Sequence, residues 1–149
     1  MAWINPHLLF LTAAGTLAGI YVGAIPGLSV TMAVSILISF TFAWEVNDAL
    51  ALMVGVYCGG VYGGSRTAIL LNIPGAPAAI ATAFDGFPLA QRGEAGRAIG
   101  VSTVISVMGG FIGVAVLAIA APKVAEFALK FAPRDYLLLA VMGLSLIHI

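Results

Sequence analysis

Six small polar side chains flank two Ile-Pro-Gly triplets in otherwise apolar sequence. Ser29 and Thr31 follow Ile25-Pro26-Gly27. Ser65, Thr67 and Asn72 precede Ile73-Pro74-Gly75, and Thr82 follows it. Proline removes a backbone donor and obstructs the turn before it, and glycine takes up conformations other residues avoid. Each triplet therefore interrupts a helix. In lipid the freed N–H and C=O groups need partners, so a break persists only where protein or water surrounds it. The restarting helix aims unpaired N–H groups and a positive dipole end at the break, which suits a carboxylate. The unwound carbonyls before it suit a small cation. Broken transporter helices use this pairing near the bilayer midplane. The candidate substrate-binding residues are thus Gly27, Ser29, Thr31, Ser65, Thr67, Asn72, Pro74, Gly75 and Thr82.

A plainer reading stands beside this one. Pro26 can merely kink a helix, and the hydroxyls can bond back to their own helix carbonyls. For Asn72-Ile-Pro-Gly-Ala-Pro77 two prolines around a glycine argue for a true interruption. Pro77 then fits the first turn of the next helix, where its missing N–H costs nothing.

Arg66 is the sharpest single residue. Its guanidinium can pair with a substrate carboxylate through two parallel hydrogen bonds. Alternatively, a helix over 47–64 already spans the membrane and Arg66 snorkels at its end. His7 and His148 stand at the chain ends, and Cys58 reads as a small packing residue. Gly64-Ser65 alone does not make an intramembrane serine protease, because no histidine takes a helical partner position. Gly59-Gly60 and Gly63-Gly64-Ser65 lack the lysine of a phosphate-binding loop.

The elements that must hold these residues follow from composition. Of 149 residues, 62% are hydrophobic and 8% charged, with mean hydropathy +1.13. Soluble chains are about 45–50% apolar and about 25% charged. The balance excludes a soluble enzyme, a disordered chain and a nucleic-acid binder, since six Lys+Arg match six Asp+Glu. No Cys/His cluster has metal-ligand spacing, so no metal site is expected. The expected fold is all-α, a polytopic transmembrane helical protein with discontinuous helices, forming one transmembrane domain over 1–149.

Residues 1–44 carry no charge. Later charges cluster at 45–48, 85–97 and 123–135 and mark membrane faces. Helices are expected over about 7–24, 28–44, 47–64, 77–84 and 98–121, with a shorter apolar stretch at 67–73. Residues 85–97 read as a polar loop. Residues 123–134 read as an interfacial segment, because Lys123, Glu126 and Lys130 recur at helical intervals between apolar neighbours. A last helix starts near Asp135 and leaves 14 residues to the end, about 21 Å, short of a full span. The chain therefore reads as the N-terminal part of a longer protein, with a tilted or interfacial final helix as the alternative. Two Lys/Arg fall in the loop at 85–97 and three at 123–135 with a single helix between them, so the positive-inside rule contradicts itself and no orientation follows.

Gly15/Gly19/Gly23 and Gly55/Gly59/Gly63 stand four apart, as do Gly96/Gly100 and Gly109/Gly113. That spacing lines up glycines on one helix face and specifies close packing rather than any activity.

The run Gly55-Val-Tyr-Cys-Gly-Gly-Val-Tyr-Gly-Gly-Ser65, then Ala68-Ile-Leu-Leu-Asn-Ile-Pro-Gly-Ala-Pro77 and Ala81-Thr-Ala-Phe-Asp-Gly-Phe-Pro88, resembles the large membrane subunit of tripartite tricarboxylate transporters, the TctA family. Gly23-Ala-Ile-Pro-Gly-Leu28 and Gln91-Arg-Gly-Glu-Ala-Gly-Arg-Ala-Ile-Gly100 share the likeness. It covers most of residues 15–144, and Ser145-Leu-Ile-His-Ile149 departs from it.

The resemblance implies a multi-pass bacterial inner-membrane permease, not an enzyme. It implies ion-coupled uptake of citrate-like di- or tricarboxylates. The implied partners are a small membrane subunit, a periplasmic solute-binding protein and the lipid bilayer, with no nucleic acid. It implies no cofactor beyond a coupling ion, Na+ or H+. The alternative function is a noncatalytic membrane assembly subunit that docks partner helices through its Gly-xxx-Gly faces.

Overall fold

A computed structural model describes residues 5–148. Its elements are α1 (Pro6–Ala24), α2 (Val30–Thr41), α3 (Val46–Leu71), a 3₁₀ turn (Pro77–Ala79) running directly into α4 (Ile80–Gln91), α5 (Ala95–Ala128) and α6 (Pro133–His148). There is no strand among the described residues. Two compact units divide within α5, one ending at Ile105 and the other starting at Ser106.

The first unit is organised by glycine. A Cβ on Gly15, Gly19 or Gly23 would strike the backbone of Leu52, Val56 or Gly60 on α3. Reciprocally, a Cβ on Gly55, Gly59 or Gly63 would strike the carbonyls of Thr12, Thr16 and Ile20 on α1. Six glycines thus bring two backbones into direct contact, each Cα facing a carbonyl oxygen of the other helix. Both series advance together, so α1 and α3 run parallel. Their starts meet at a His7–Asp48 pair, 3.4 Å apart.

Parallel neighbours need a return segment, and α2 supplies it. Val30 seats on Gly60, where a larger residue would collide with its methyls. Ser29 caps the start of α2, accepting a hydrogen bond from the Thr31 amide at 3.3 Å. The helix is 12 residues, shorter than the expected 28–44. Residues 42–45 leave the helix because the chain must reverse there to lay α3 back along α1.

Helix α3 departs most from expectation. It continues to Leu71 rather than stopping at 64, and absorbs residues 67–71 of the stretch expected at 67–73. Helix α4 then folds back on its second half. Gly86 lets α4 approach the fully buried Ile69, and Ala68, Ala79 and Ala83 close a small apolar cluster.

Residues 85–97 are also mostly helical. Helix α4 runs through them to Gln91, and only Arg92–Glu94 turn, with Gly93 at φ 81°. Asp85 sits on an exposed face of α4, so a charge that reads as loop stands on a helix instead.

In the second unit, residues 123–128 continue α5 as one helix, with Pro122 inside it. Proline there forfeits one backbone bond without ending the helix. At 34 residues α5 is longer than a ~30 Å core requires. Helix α6 starts near the expected point, where the Asp135 carboxylate accepts from the Ala132 amide at 2.8 Å.

Two helices, Pro6–Ala24 and Ala95–Ala128, are long and apolar enough to cross a membrane. The apolar window of α5 is unburied, with side chains such as Phe111, Leu117 and Ile119 exposed.

Candidate functional site

The two Ile-Pro-Gly breaks lie side by side. Gly75 is buried against the carbonyl of Gly23, in the last turn of α1 before the first break, and against the Cα of Gly64 on α3. Ala76 and Gly75 also cover Gly64. The second break is thus held in the angle between α1 and α3, at a place open only to glycine. A groove of about 300 Å³ opens between the breaks, lined by Gly27, Ser29, Pro74, Gly75, Ala76, Pro77 and Ile80. Two helix starts border it: α2, capped by Ser29, and the Pro77 turn leading into α4. The second start has no side-chain cap.

The local chemistry at each break follows from its residues. Gly27 takes φ 92°, in the left-handed region that favours glycine. Asn72 ends α3 with φ 57° and ψ 27°, a left-handed cap that asparagine tolerates. Its amide bonds the Ala68 carbonyl at 3.2 Å. Pro77 occupies the first turn of the restart.

Of the nine candidate binding residues, Gly27, Ser29, Pro74 and Gly75 line the groove. Thr31 joins it indirectly, its hydroxyl 2.6 Å from that of Ser29. Asn72 and Thr82 lie outside the lining. Ser65 donates to the Val61 carbonyl at 2.9 Å and Thr67 to the Gly64 carbonyl at 3.1 Å, so both hydroxyls serve their own helix.

Arg66 lies elsewhere. Two positions beyond Gly64, it sits about 200° around α3, away from the groove. It is not the free end of a 47–64 helix. Its Nη2 donates to Thr103 of α5 at 2.8 Å, and its guanidinium carbon stands 3.5 Å from the centre of the Tyr62 ring. The side chain of His148 lies outside the described residues.

Some site residues escaped sequence reasoning. Gly23 and Gly64 set the seat of Gly75, and the second spacing Gly60/Gly64 was a readable signal for it. Tyr62 is one turn before Arg66 and could have been paired with it. Thr103 lies 37 residues away, and nothing local points to it.

Helix packing through glycine, two helices fit to cross a bilayer and a pair of apposed helix breaks define an all-α membrane protein. The chain belongs to the tripartite tricarboxylate transporter TctA family, which matches residues 9–149. The match extends beyond the motifs at both ends and takes in Ser145–Ile149. The chain is also 41% identical over 141 residues to an uncharacterized 52.8 kDa protein in the TAR-I ttuC' 3' region of Agrobacterium vitis. That alignment covers 95% of this chain and 28% of the relative, so the chain spans little over a quarter of the relative's length. No solved structure matches the chain.

Proposed function

We propose that this chain forms part of the membrane permease of a binding-protein-dependent, ion-coupled uptake system for citrate-like carboxylates. The observation that carries the reading is the apposition of the two breaks, with two helix starts on one groove. Helix starts favour an anion, and the end of α3 offers carbonyls to a cation. Gly27, Ser29, Pro74 and Gly75 form the substrate-facing wall, with Thr31 behind Ser29. Asn72 and Thr82 shape the break and the restart. Na+ or H+ is the coupling ion, and the protein works in the bacterial inner membrane as a multi-pass permease. A small membrane subunit and a periplasmic solute-binding protein complete the system. Family membership supports this role and argues against an enzyme.

The test is uptake of radiolabelled citrate by cells expressing the complete system, with Na+ and pH gradients imposed separately. Uptake that needs neither gradient, or no carboxylate uptake at all, would refute the reading.

A second reading has its own observation. A Cβ on Gly96, Gly100, Gly109 or Gly113 would meet nothing within 4 Å. Those open positions fit an assembly role, in which the chain docks partner helices without moving substrate. Under it, Gly109→Leu with Gly113→Leu abolishes co-purification of the small subunit, and every groove variant transports normally.

A further inference from the structure

Arg66 carries five N–H donors on a planar guanidinium. Nη2 donates to Thr103 Oγ1 at 2.8 Å, and the Thr103 hydroxyl donates in turn to the Ile99 carbonyl at 2.7 Å. The Tyr62 ring faces the cation at 3.5 Å. Neither neighbour carries negative charge. Nη1 is buried with no hydrogen-bond partner among the described residues. Their ion pairs join His7 to Asp48, Arg97 to Glu94 and Arg134 to Asp135, and none includes Arg66. A buried donor left unmade is costly, and more so when charged. The ring and the hydroxyl hold the guanidinium plane in place, as a receptor for a planar two-oxygen acceptor requires.

We propose that the Arg66 guanidinium, fixed by the Tyr62 ring and the Thr103 hydroxyl, holds a carboxylate. This point is separate from the groove and does not depend on it. The carboxylate comes either from a small carboxylate metabolite or from an Asp or Glu side chain of another membrane helix.

The experiment uses the complete native protein in lipid nanodiscs, with citrate as the probe. Citrate affinity and the thermal midpoint are measured for wild type, Arg66→Gln, Arg66→Lys and Thr103→Val. If the ligand is a metabolite, Arg66→Gln weakens citrate binding roughly tenfold or more, the expected worth of a charge-assisted bond. Thr103→Val weakens it less. If the ligand is a side chain, citrate binding holds. Arg66→Gln then lowers the midpoint well below that of Thr103→Val, and Arg66→Lys recovers part of the loss. Equal behaviour of Arg66→Gln and Thr103→Val in both readouts overturns the proposal, because Arg66 then only serves Thr103. Should Arg66→Gln not accumulate, Arg66→Lys against Thr103→Val carries the same comparison. Ser29→Ala reports on the groove, so loss there with none at Arg66 separates the two ideas.

Discussion

Gly75 rests on the carbonyl oxygen of Gly23. They lie 52 residues apart in the chain, Gly23 just before the first break and Gly75 within the second, yet no atom larger than hydrogen fits between them. This contact makes one groove out of two sequence motifs. It also ties the end of α1 to the restart of α4, so any change there alters both walls together.

Gly75→Ala is therefore the most informative substitution in the groove. A methyl group would overlap the Gly23 carbonyl and the Gly64 Cα, both backbone atoms that cannot swing aside. Overpacking of this kind costs about 1–3 kcal/mol. Thermal unfolding in detergent should show a lowered midpoint, and citrate uptake should fall with it.

The glycine positions should split by sign. Alanine is worth up to about 1 kcal/mol over glycine inside a helix. At Gly59 that gain is outweighed, because the methyl would enter the Thr16 carbonyl. At Gly113 nothing opposes it. Gly59→Ala should lower the unfolding temperature of the purified protein, while Gly113→Ala should leave it level or raised.

Asn72 offers a conformational test. Its backbone is left-handed and its side chain is exposed, so its shape matters more than its contacts. Asn72→Gly should retain stability. Asn72→Val should lose about 1–2 kcal/mol, the usual penalty for a branched residue in that region. Uptake that survives Asn72→Gly but not Asn72→Val would assign Asn72 to the geometry of the break. Uptake lost in both would assign its amide to the ligand.

Ser29→Ala removes the cap of α2 and a hydroxyl of the groove at once. Cap loss alone costs about 1 kcal/mol. Ser29→Asp restores a cap but places negative charge at the groove. Kinetic measurement of citrate uptake should show the Asp variant stable and impaired, with a raised KM, because like charges repel at the binding wall.

Much of this architecture was legible in the residues themselves. The Gly15/Gly19/Gly23 and Gly55/Gly59/Gly63 spacings announced close packing, and Pro74 with Pro77 announced a break. Misreadings came where local composition competed with packing. Asp85 and Gly86 look like a loop, yet Gly86 is the residue that lets α4 touch Ile69.

Helical class, membrane character and the sites of interruption are local properties, dictated by hydropathy, proline and glycine along the chain. Which surfaces meet is not local. The parallel pairing of α1 with α3, the nesting of Gly75 on Gly23 and the reach of Arg66 to Thr103 arose only on folding, because each depends on contacts between residues far apart in sequence.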